Sequence, residues 1–315
     1  MTGLVTLGEM LGLLSSPGIG LLRHASTLNL SVGGAESNVA IGVARLGGDA
    51  CWIGRVGDDP IGDLVVSRLA GERVDVSHVV RDPMTPTALM IKETRTPSVS
   101  RVCYYRLDGP GTRLSPDDLP SERIAHAAVL HVTGITPALG RSAEDTVRAA
   151  VDIAQAAGVA VSFDVNYRSG LWRPDEARPV LRDLLARADV FFAGDDEAEM
   201  LGVTGTPEQQ ARAIAELGPG ESVIKLGARG AVAAFGDEVT TLAACSVQAV
   251  DPVGAGDAFV AGYLAERMRG SPPGAALGTA IRCGAFAVQT PGDWEGSPTR
   301  TELAHLDAAP GTVLR

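Results

Sequence analysis

Between Ala128 and Gly227 the chain alternates short apolar runs with amphipathic stretches: "AVLHVTG", a helical pattern, "VAVSFDVN", another, "DVFFAGD", two short ones, and "SVIKLG". A strand that returns after a helix joins its predecessor in parallel, and a parallel sheet must be covered by helices on both faces. The alternation therefore predicts an α/β fold with a mostly parallel sheet sandwiched by helices. The helix after "HVTGITPALG" is expected to start at Ser142, to place Val147, Ala150, Val151 and Ala154 on one face, and to stop at Gly158. "TPEQ", Thr206 to Gln209, has the form of a capping box with proline at the first helical position. The N-terminal third follows the same pattern, with "LVTLGE", a small-residue helix from Ala35 to Leu46, and "ACWIGRVG". Between Thr87 and Arg106 two β-like runs, "TALMIKE" and "RVCYYR", flank the turn-rich "TRTPSVS" and read as a hairpin. With the segment near "LNLSV" this hairpin predicts a small sheet outside the main layer. No repeat and no long linker divides the chain, so a single domain over residues 1–315 is expected.

The 315 residues are 45% hydrophobic, enough for a large core, and carry a net charge of −11 with no basic tract. That balance argues against a nucleic-acid or anionic-membrane partner, and any anionic ligand must be held by a few placed groups. Lys92 and Lys225 are the only lysines. Cys51, Cys103, Cys245 and Cys283 lie far apart with no C-x-x-C pair, so reduced thiols are expected rather than a zinc site or disulfides. No run approaches about eighteen apolar residues, and "MTGLVTLGEM" lacks the features of a signal peptide; a cytoplasmic protein is the expectation.

The stretch "VDPVGAGDAF", Val250 to Phe259, is a candidate for chemistry, though weak by itself. Gly254 and Gly256, around Ala255, let the backbone turn tightly, so that amide N–H groups converge where a helix beginning near Asp257 presents its positive end. Such a place binds anions. Asp257 can then take a proton from a hydroxyl while the amides hold negative charge. The plain alternative is a helix N-cap in a glycine turn, since the motif is neither a P-loop nor a Rossmann fingerprint.

"VGGAESNVAIGVARLGGDACWIGRVGDDPIGD" and "AVDPVGAGDAFVAGYLA" closely resemble the two signature regions of the ribokinase-like (PfkB-type) carbohydrate kinases. "HVTGITPAL", "SFDVNYRSGLW", "VIKLGARGA" and "TPGDWEG" extend the resemblance over nearly the full length, and "YYR" (104–106), "DVNYR" (164–168) and "GDWEG" look most like the 2-keto-3-deoxygluconate kinases of that family. The resemblance implies transfer of a phosphoryl group from ATP, with Mg²⁺, to the terminal hydroxyl of a 2-keto-3-deoxy sugar acid, giving the 6-phosphate of 2-keto-3-deoxygluconate. A monovalent-cation requirement is left open.

By the same resemblance Asp257 matches the catalytic base, and Gly254, Ala255 and Gly256 match the anion hole. The family's Asn-x-x-Glu motif, which organises the metal, maps onto Gly194 to Glu197, with glycine in place of the asparagine; the plain reading there is an acidic helix start. "KLGARGA" looks like the nucleotide loop, with Lys225, Gly227 and Gly230 beside Asn166 as cofactor contacts, although a β-turn alone would account for it. "GGAESN" supplies sugar contacts from Gly34 and Asn38, and "GDWEG" supplies Asp293. Arg106 and Arg168 form a guanidinium pair suited to a carboxylate, against surface salt bridging as the plain alternative. Tyr104 shares the strand face of Arg106 and is taken as a substrate contact, while Tyr105 is left to packing. Met90 stands where an aromatic is expected.

The small sheet, from segments 12–32 and 86–107, would be a lid, and its exposed edges favour a homo-oligomer. Two rivals remain at this point: a kinase of a neutral sugar or nucleoside on the same scaffold, and a non-catalytic ligand-binding relative.

Overall fold

The structure, a computed structural model, describes residues 3–96 and 99–308, so Pro97 and Ser98 at the tip of the expected hairpin lie outside the described residues. The strands are β1 (Leu4–Leu7), β2 (Leu11–Ser15), β3 (Asn29–Gly33), β4 (Ala50–Gly57), β5 (Val79–Asp82), β6 (Leu89–Thr96), β7 (Val99–Tyr105), β8 (Val129–Thr133), β9 (Ala160–Asp164), β10 (Val190–Gly194), β11 (Glu221–Lys225), β12 (Ala231–Phe235) and β13 (Glu238–Leu242). The helices are α1 (Ala35–Arg45), α2 (Pro60–Gly71), α3 (Ser121–Ala125), α4 (Arg141–Ala156), α5 (Pro174–Arg187), α6 (Asp195–Met200), α7 (Pro207–Ala215), α8 (Ala255–Met268) and α9 (Pro273–Ala287).

Nine strands form one sheet in the order β13-β12-β11-β10-β9-β8-β1-β4-β5. Every pairing is parallel except β11 with β12 and β12 with β13, which the short connection after Lys225 forces into a hairpin. The two faces carry two separate apolar layers. Val5, Leu7, Leu130, Phe163 and Phe191 meet α4 and α5 on one side, and Leu4, Trp52 and Phe192 meet α1, α8 and α9 on the other. This is the architecture the alternation predicts. Helix α4 starts one residue before the expected Ser142, and its four forecast face residues are all buried. Thr206 makes the capping box as read.

The second sheet, β3-β2-β6-β7, stands apart from the first, with β2 antiparallel to β3, β2 parallel to β6 and β6 antiparallel to β7. Its inner face carries Leu11, Leu13, Met90 and Val102. Strand alternation places Leu14, Leu30, Ile91, Cys103 and Tyr105 on the other face, where they are only partly covered. Tyr105 corrects the expectation of a packed side chain: it is 63% exposed, because nothing among the described residues covers it.

Two helices cross to build the site. Gly42 of α1 lies against the Ala261 methyl of α8, where a Cβ on Gly42 would lie 2.5 Å from that methyl, so glycine permits the approach. One turn earlier on each helix stand Asn38 and Asp257, which the crossing brings together. The four cysteines are free thiols, two of them buried. Among the described residues no helix is long and apolar enough to cross a membrane.

Candidate active site

The parallel strands β1, β8, β9, β10 and β11 all run toward the same edge of the sheet, and the chemistry-bearing residues collect beyond their C-terminal ends, as expected where a parallel sheet meets a ligand. Glu9 follows β1, Asn166 and Arg168 follow β9, Glu197 lies just past β10, and Lys225 ends β11. The second sheet closes over this edge. Between the two lies a cavity of about 310 Å³, lined among others by Gly34, Asn38, Tyr104, Arg106, Asn166, Arg168, Gly254, Gly256, Asp257 and Asp293.

At the floor of the cavity the helix α8 begins two residues earlier than expected, at Ala255, with Gly254 as its N-cap in the left-handed conformation at φ 75°. A Cβ on Gly254 would run into the main-chain oxygen of Asp293, so only glycine fits this turn. The amide of Ala255 makes a long 3.4 Å bond to the Pro252 carbonyl, while those of Gly254, Gly256 and Asp257 have no acceptor among the described residues. They are unpaired N–H groups at a helix N-terminus, an arrangement that attracts negative charge. Val253 is turned inward by its amide bond to Asp251 Oδ1 (3.2 Å).

Asp257 is 8% exposed, and its Oδ2 accepts from Asn38 Nδ2 at 2.8 Å. Burial pushes its pKa up to about 7; the Asn38 bond and Arg168 oppose that rise, and Asp293 adds to it. The same Asn38 amide nitrogen reaches Asp293 Oδ2 at 3.2 Å, and burial lifts Asp293 to about 6. Asp293 is held from behind: its loop is anchored by Trp294, whose Nε1 donates to the Val32 carbonyl, and by Arg45, which stacks on that indole and donates to the Glu295 and Ser297 carbonyls. The tryptophan of "GDWEG" is thus a structural anchor for its neighbour.

At the end of β11, Lys225 donates to both oxygens of the buried Asp164 at 2.8 and 2.6 Å. Burial alone would lower the lysine pKa, but Asp164 and Glu197 outweigh it and hold the ammonium charged. A side-chain carbon built on Gly256 would lie 3.9 Å from the ammonium, so the charge sits beside the start of α8. Glu197 accepts from the amides of Gly194 (2.7 Å) and Tyr167 (2.8 Å), and its pKa is raised by burial, against Lys225. Gly194 makes no side-chain contact, and its amide serves only this carboxylate. Gly227 and Gly230 shape the tight turn after β11, which the Leu226 amide closes onto the Gly230 carbonyl. Lys225, Gly227, Gly230, Gly194 and Glu197 do not line the 310 Å³ cavity.

At the opposite end Arg106 lies over the ring of Tyr104 at 5.1 Å, as the strand periodicity predicts, but its Nε also faces Glu9 Oε2 at 3.1 Å. Glu36, fully buried, accepts from Thr133 and Thr136, each at 2.6 Å. Burial raises both glutamates, Glu9 to about 7, with Arg106 pulling each of them down. Asn166, expected as a nucleotide contact, holds Arg168: in the left-handed region at φ 42°, it accepts from Arg168 Nη2 at 2.7 Å. Arg168 also donates to the Tyr167 carbonyl, so the guanidinium is fixed at the cavity wall.

Residues 1–300 match the sequence profile of the pfkB family carbohydrate kinases. The chain belongs to that family. It is 38% identical to a 2-dehydro-3-deoxygluconokinase of Bacillus subtilis, over 98% of this chain and 96% of that one. It is 37% identical to a fructokinase of Klebsiella pneumoniae, over 86% and 90%. A putative ribokinase II from Escherichia coli, solved in complex with ATP and Mg²⁺, superposes with a TM-score of 0.91 at 27% identity, covering 98% of this chain and 99% of that one. The kinase therefore transfers a phosphoryl group to an alcohol acceptor, in a family that uses ATP with metal ions.

Five residues of this kinase site escaped the sequence reading: Glu9, Glu36, Lys92, Asp164 and Asp251. Glu9 and Glu36 fall in "LGEM" and "GGAESN", both of which were read, but nothing local marks a carboxylate as facing a guanidinium contributed from almost a hundred residues away. Asp164 was visible as an acidic residue closing an apolar strand, a position where charge is costly unless it is paired.

Proposed function

We propose that this kinase phosphorylates the terminal hydroxyl of a 2-keto-3-deoxy sugar acid, 2-keto-3-deoxygluconate in the first instance, with ATP as the donor. The observation that carries the reading is the meeting, in one cavity, of the Asp257 carboxylate, the unpaired amides of Gly256 and Asp257, and the Arg168 guanidinium. In this reading Asp257 Oδ1, left free by Asn38, takes the proton of the attacking hydroxyl, and the sugar oxygen displaces ADP in line at the γ-phosphorus. The amides of Gly254, Gly256 and Asp257 hold the oxygens of the transferring group, and Lys225 offsets charge on the phosphate chain. Mg²⁺, when bound, supplies charge neutralisation between the phosphates. Glu197 fits a role beside it: each of its oxygens accepts only one backbone N–H, so lone pairs remain for a water of the metal.

At the sugar end Asn38 and Asp293 bond the hydroxyls, Gly34 lets the sugar approach the backbone, and Arg168 with Arg106 and Tyr104 receives the acid end. The four-stranded sheet acts as a lid within one 1–315 domain, limiting access of water to the phosphate. Its uncovered apolar face, with Leu30 and Tyr105, supports a homo-oligomer joined through the lids, in a cytoplasmic setting that supplies ATP.

A neutral-sugar kinase is the second reading. It is favoured by the fructokinase relative and by the Glu9 contact, which already offsets the charge of Arg106 and leaves Arg168, held by neutral groups, as the cavity's guanidinium with no carboxylate partner among the described residues. A panel of 2-keto-3-deoxy acids, fructose, ribose and nucleosides, read by ADP release with each sugar and with none, separates the two. ADP release confined to the sugar acids supports the proposal. Faster turnover of fructose sinks it, and no ADP release with any acceptor would point to a ligand-binding protein.

A further inference from the structure

Lys92 lies on β6 of the small sheet, 6% exposed, and its ammonium pairs with Asp251, which is 8% exposed and opens the turn before Gly254. Among the described residues this is the ion pair that ties the small sheet to the glycine turn. Asp251 is also the hub of that turn: Oδ1 accepts from the Val253 amide at 3.2 Å, and Oδ2 accepts from the Gly292 amide at 3.2 Å, on the loop that carries Asp293. Val250 and Asp251 in turn donate their amides to the Val288 carbonyl. One carboxylate thus sets both the turn that presents the unpaired amides and the loop that presents Asp293. A buried carboxylate needs a cation, and two amides do not supply one. Lys92 is the basic side chain placed to do so; Arg106 and Arg168, the other cations of the cavity, are engaged with Glu9 and Asn166.

We propose that Lys92 is a positioning residue whose ammonium serves as the built-in monovalent cation of the glycine turn, so that the lid strand itself completes the anion hole. The inference rests on the reading of Gly254 to Asp257 as that anion hole. It carries two consequences. The native enzyme needs no added monovalent cation, because the position beside Asp251 is filled from within the chain. Deleting the ammonium leaves a buried carboxylate beside a space of ammonium size, which a small monovalent cation from solution can enter, whereas methionine would fill the space with an uncharged stem.

The test measures ADP release with 2-keto-3-deoxygluconate in the presence of ammonium, potassium or tetramethylammonium chloride at equal ionic strength. For the native protein the rates should agree within about twofold. Lys92→Ala should lose roughly ten- to a hundredfold in kcat, the scale on which a small displacement of positioned groups acts. Ammonium or potassium should restore most of that loss, tetramethylammonium none, with KM for the sugar acid changed far less than kcat. Lys92→Met should be slow in all three salts. A native enzyme stimulated severalfold by potassium overturns the inference without recourse to any variant. A slow Lys92→Ala that no cation restores overturns it too, leaving Lys92 as a brace of the lid alone. If the native protein releases no ADP with any sugar, the reading of the anion hole has failed; the cation response of the variant's thermal midpoint, set against that of the native protein, then still tests the built-in cation, and equal responses count against it.

Discussion

The two ends of the cavity are built on different principles. The end proposed for the phosphates is mainly backbone: a left-handed glycine, three amides unpaired among the described residues and one lysine fixed by one aspartate, all set by a strand end and a helix start. The sugar end is mainly side chain, and most of it is charged, with Glu9, Glu36, Arg106, Arg168 and Asp293 converging from five separate segments. A backbone cradle recognises what every phosphoryl donor shares, while charged side chains can be exchanged without disturbing the sheet. Under the proposed reading, the contrast puts the reaction in the rigid half and the choice of acceptor in the exchangeable half, which fits a family whose relatives are named for different sugars.

Substitutions at either end sharpen or break this contrast. The largest effect is expected from Asp257→Asn, which should lower kcat by roughly 10²–10⁴-fold while leaving nucleotide affinity nearly intact, read by steady-state kinetics and ADP titration. Near-normal turnover would remove the base from the phosphate end. Lys225→Met should lower kcat by about 10²–10³-fold, the range for loss of a preorganised charge on the transition state. Because it also strands the buried Asp164, the double variant Lys225→Met/Asp164→Asn should regain thermal stability but not turnover. Recovery of both would reduce the pair to a structural tie.

At the sugar end, Arg168→Ala should raise KM for a sugar acid by about 10- to 100-fold, the loss of a charged hydrogen bond, with kcat and the KM for fructose little changed. Equal damage to both classes would mean that Arg168 does not read the carboxylate. The smallest effect is expected from Glu9→Gln, which releases Arg106 from its anionic neighbour. At pH 8, where Glu9 is ionised in the native site, KM for the sugar acid should fall a fewfold, and the gain should fade toward pH 6 as native Glu9 takes up its proton. A rise in KM would show that Glu9 positions Arg106 rather than competing for it.

The same contrast explains what was legible in the sequence. The alternation of apolar runs marks the main sheet because each strand and helix is signalled locally, and Gly254 and Asp257 are visible because a turn and a helix start are local as well. Tyr104 and Arg106 follow from strand periodicity. The Asn38–Asp257 contact was hidden, since it depends on how closely α1 and α8 cross at Gly42 and Ala261. The pairs Glu9–Arg106, Lys92–Asp251 and Asp164–Lys225 span long stretches of chain, and no local pattern reports a long-range ion pair. The Asn166–Arg168 bond was equally hidden, since it depends on the left-handed backbone at Asn166. Tyr105 shows a different limit, because strand alternation assigns a face but cannot say whether anything covers it.

The most direct test of Asp257 as the base is the pH dependence of kcat/KM between pH 5 and 9, compared with Asp257→Asn. Burial raises this carboxyl from 3.8 to about 7, so it is protonated below that pH and able to accept a proton above it. For the native enzyme log kcat/KM should climb with a slope near one up to about pH 7 and then level off, and the residual activity of Asp257→Asn should lack that rise. A native profile that stays flat from pH 5 to 7, or a variant that keeps the same rise, would contradict proton abstraction by Asp257.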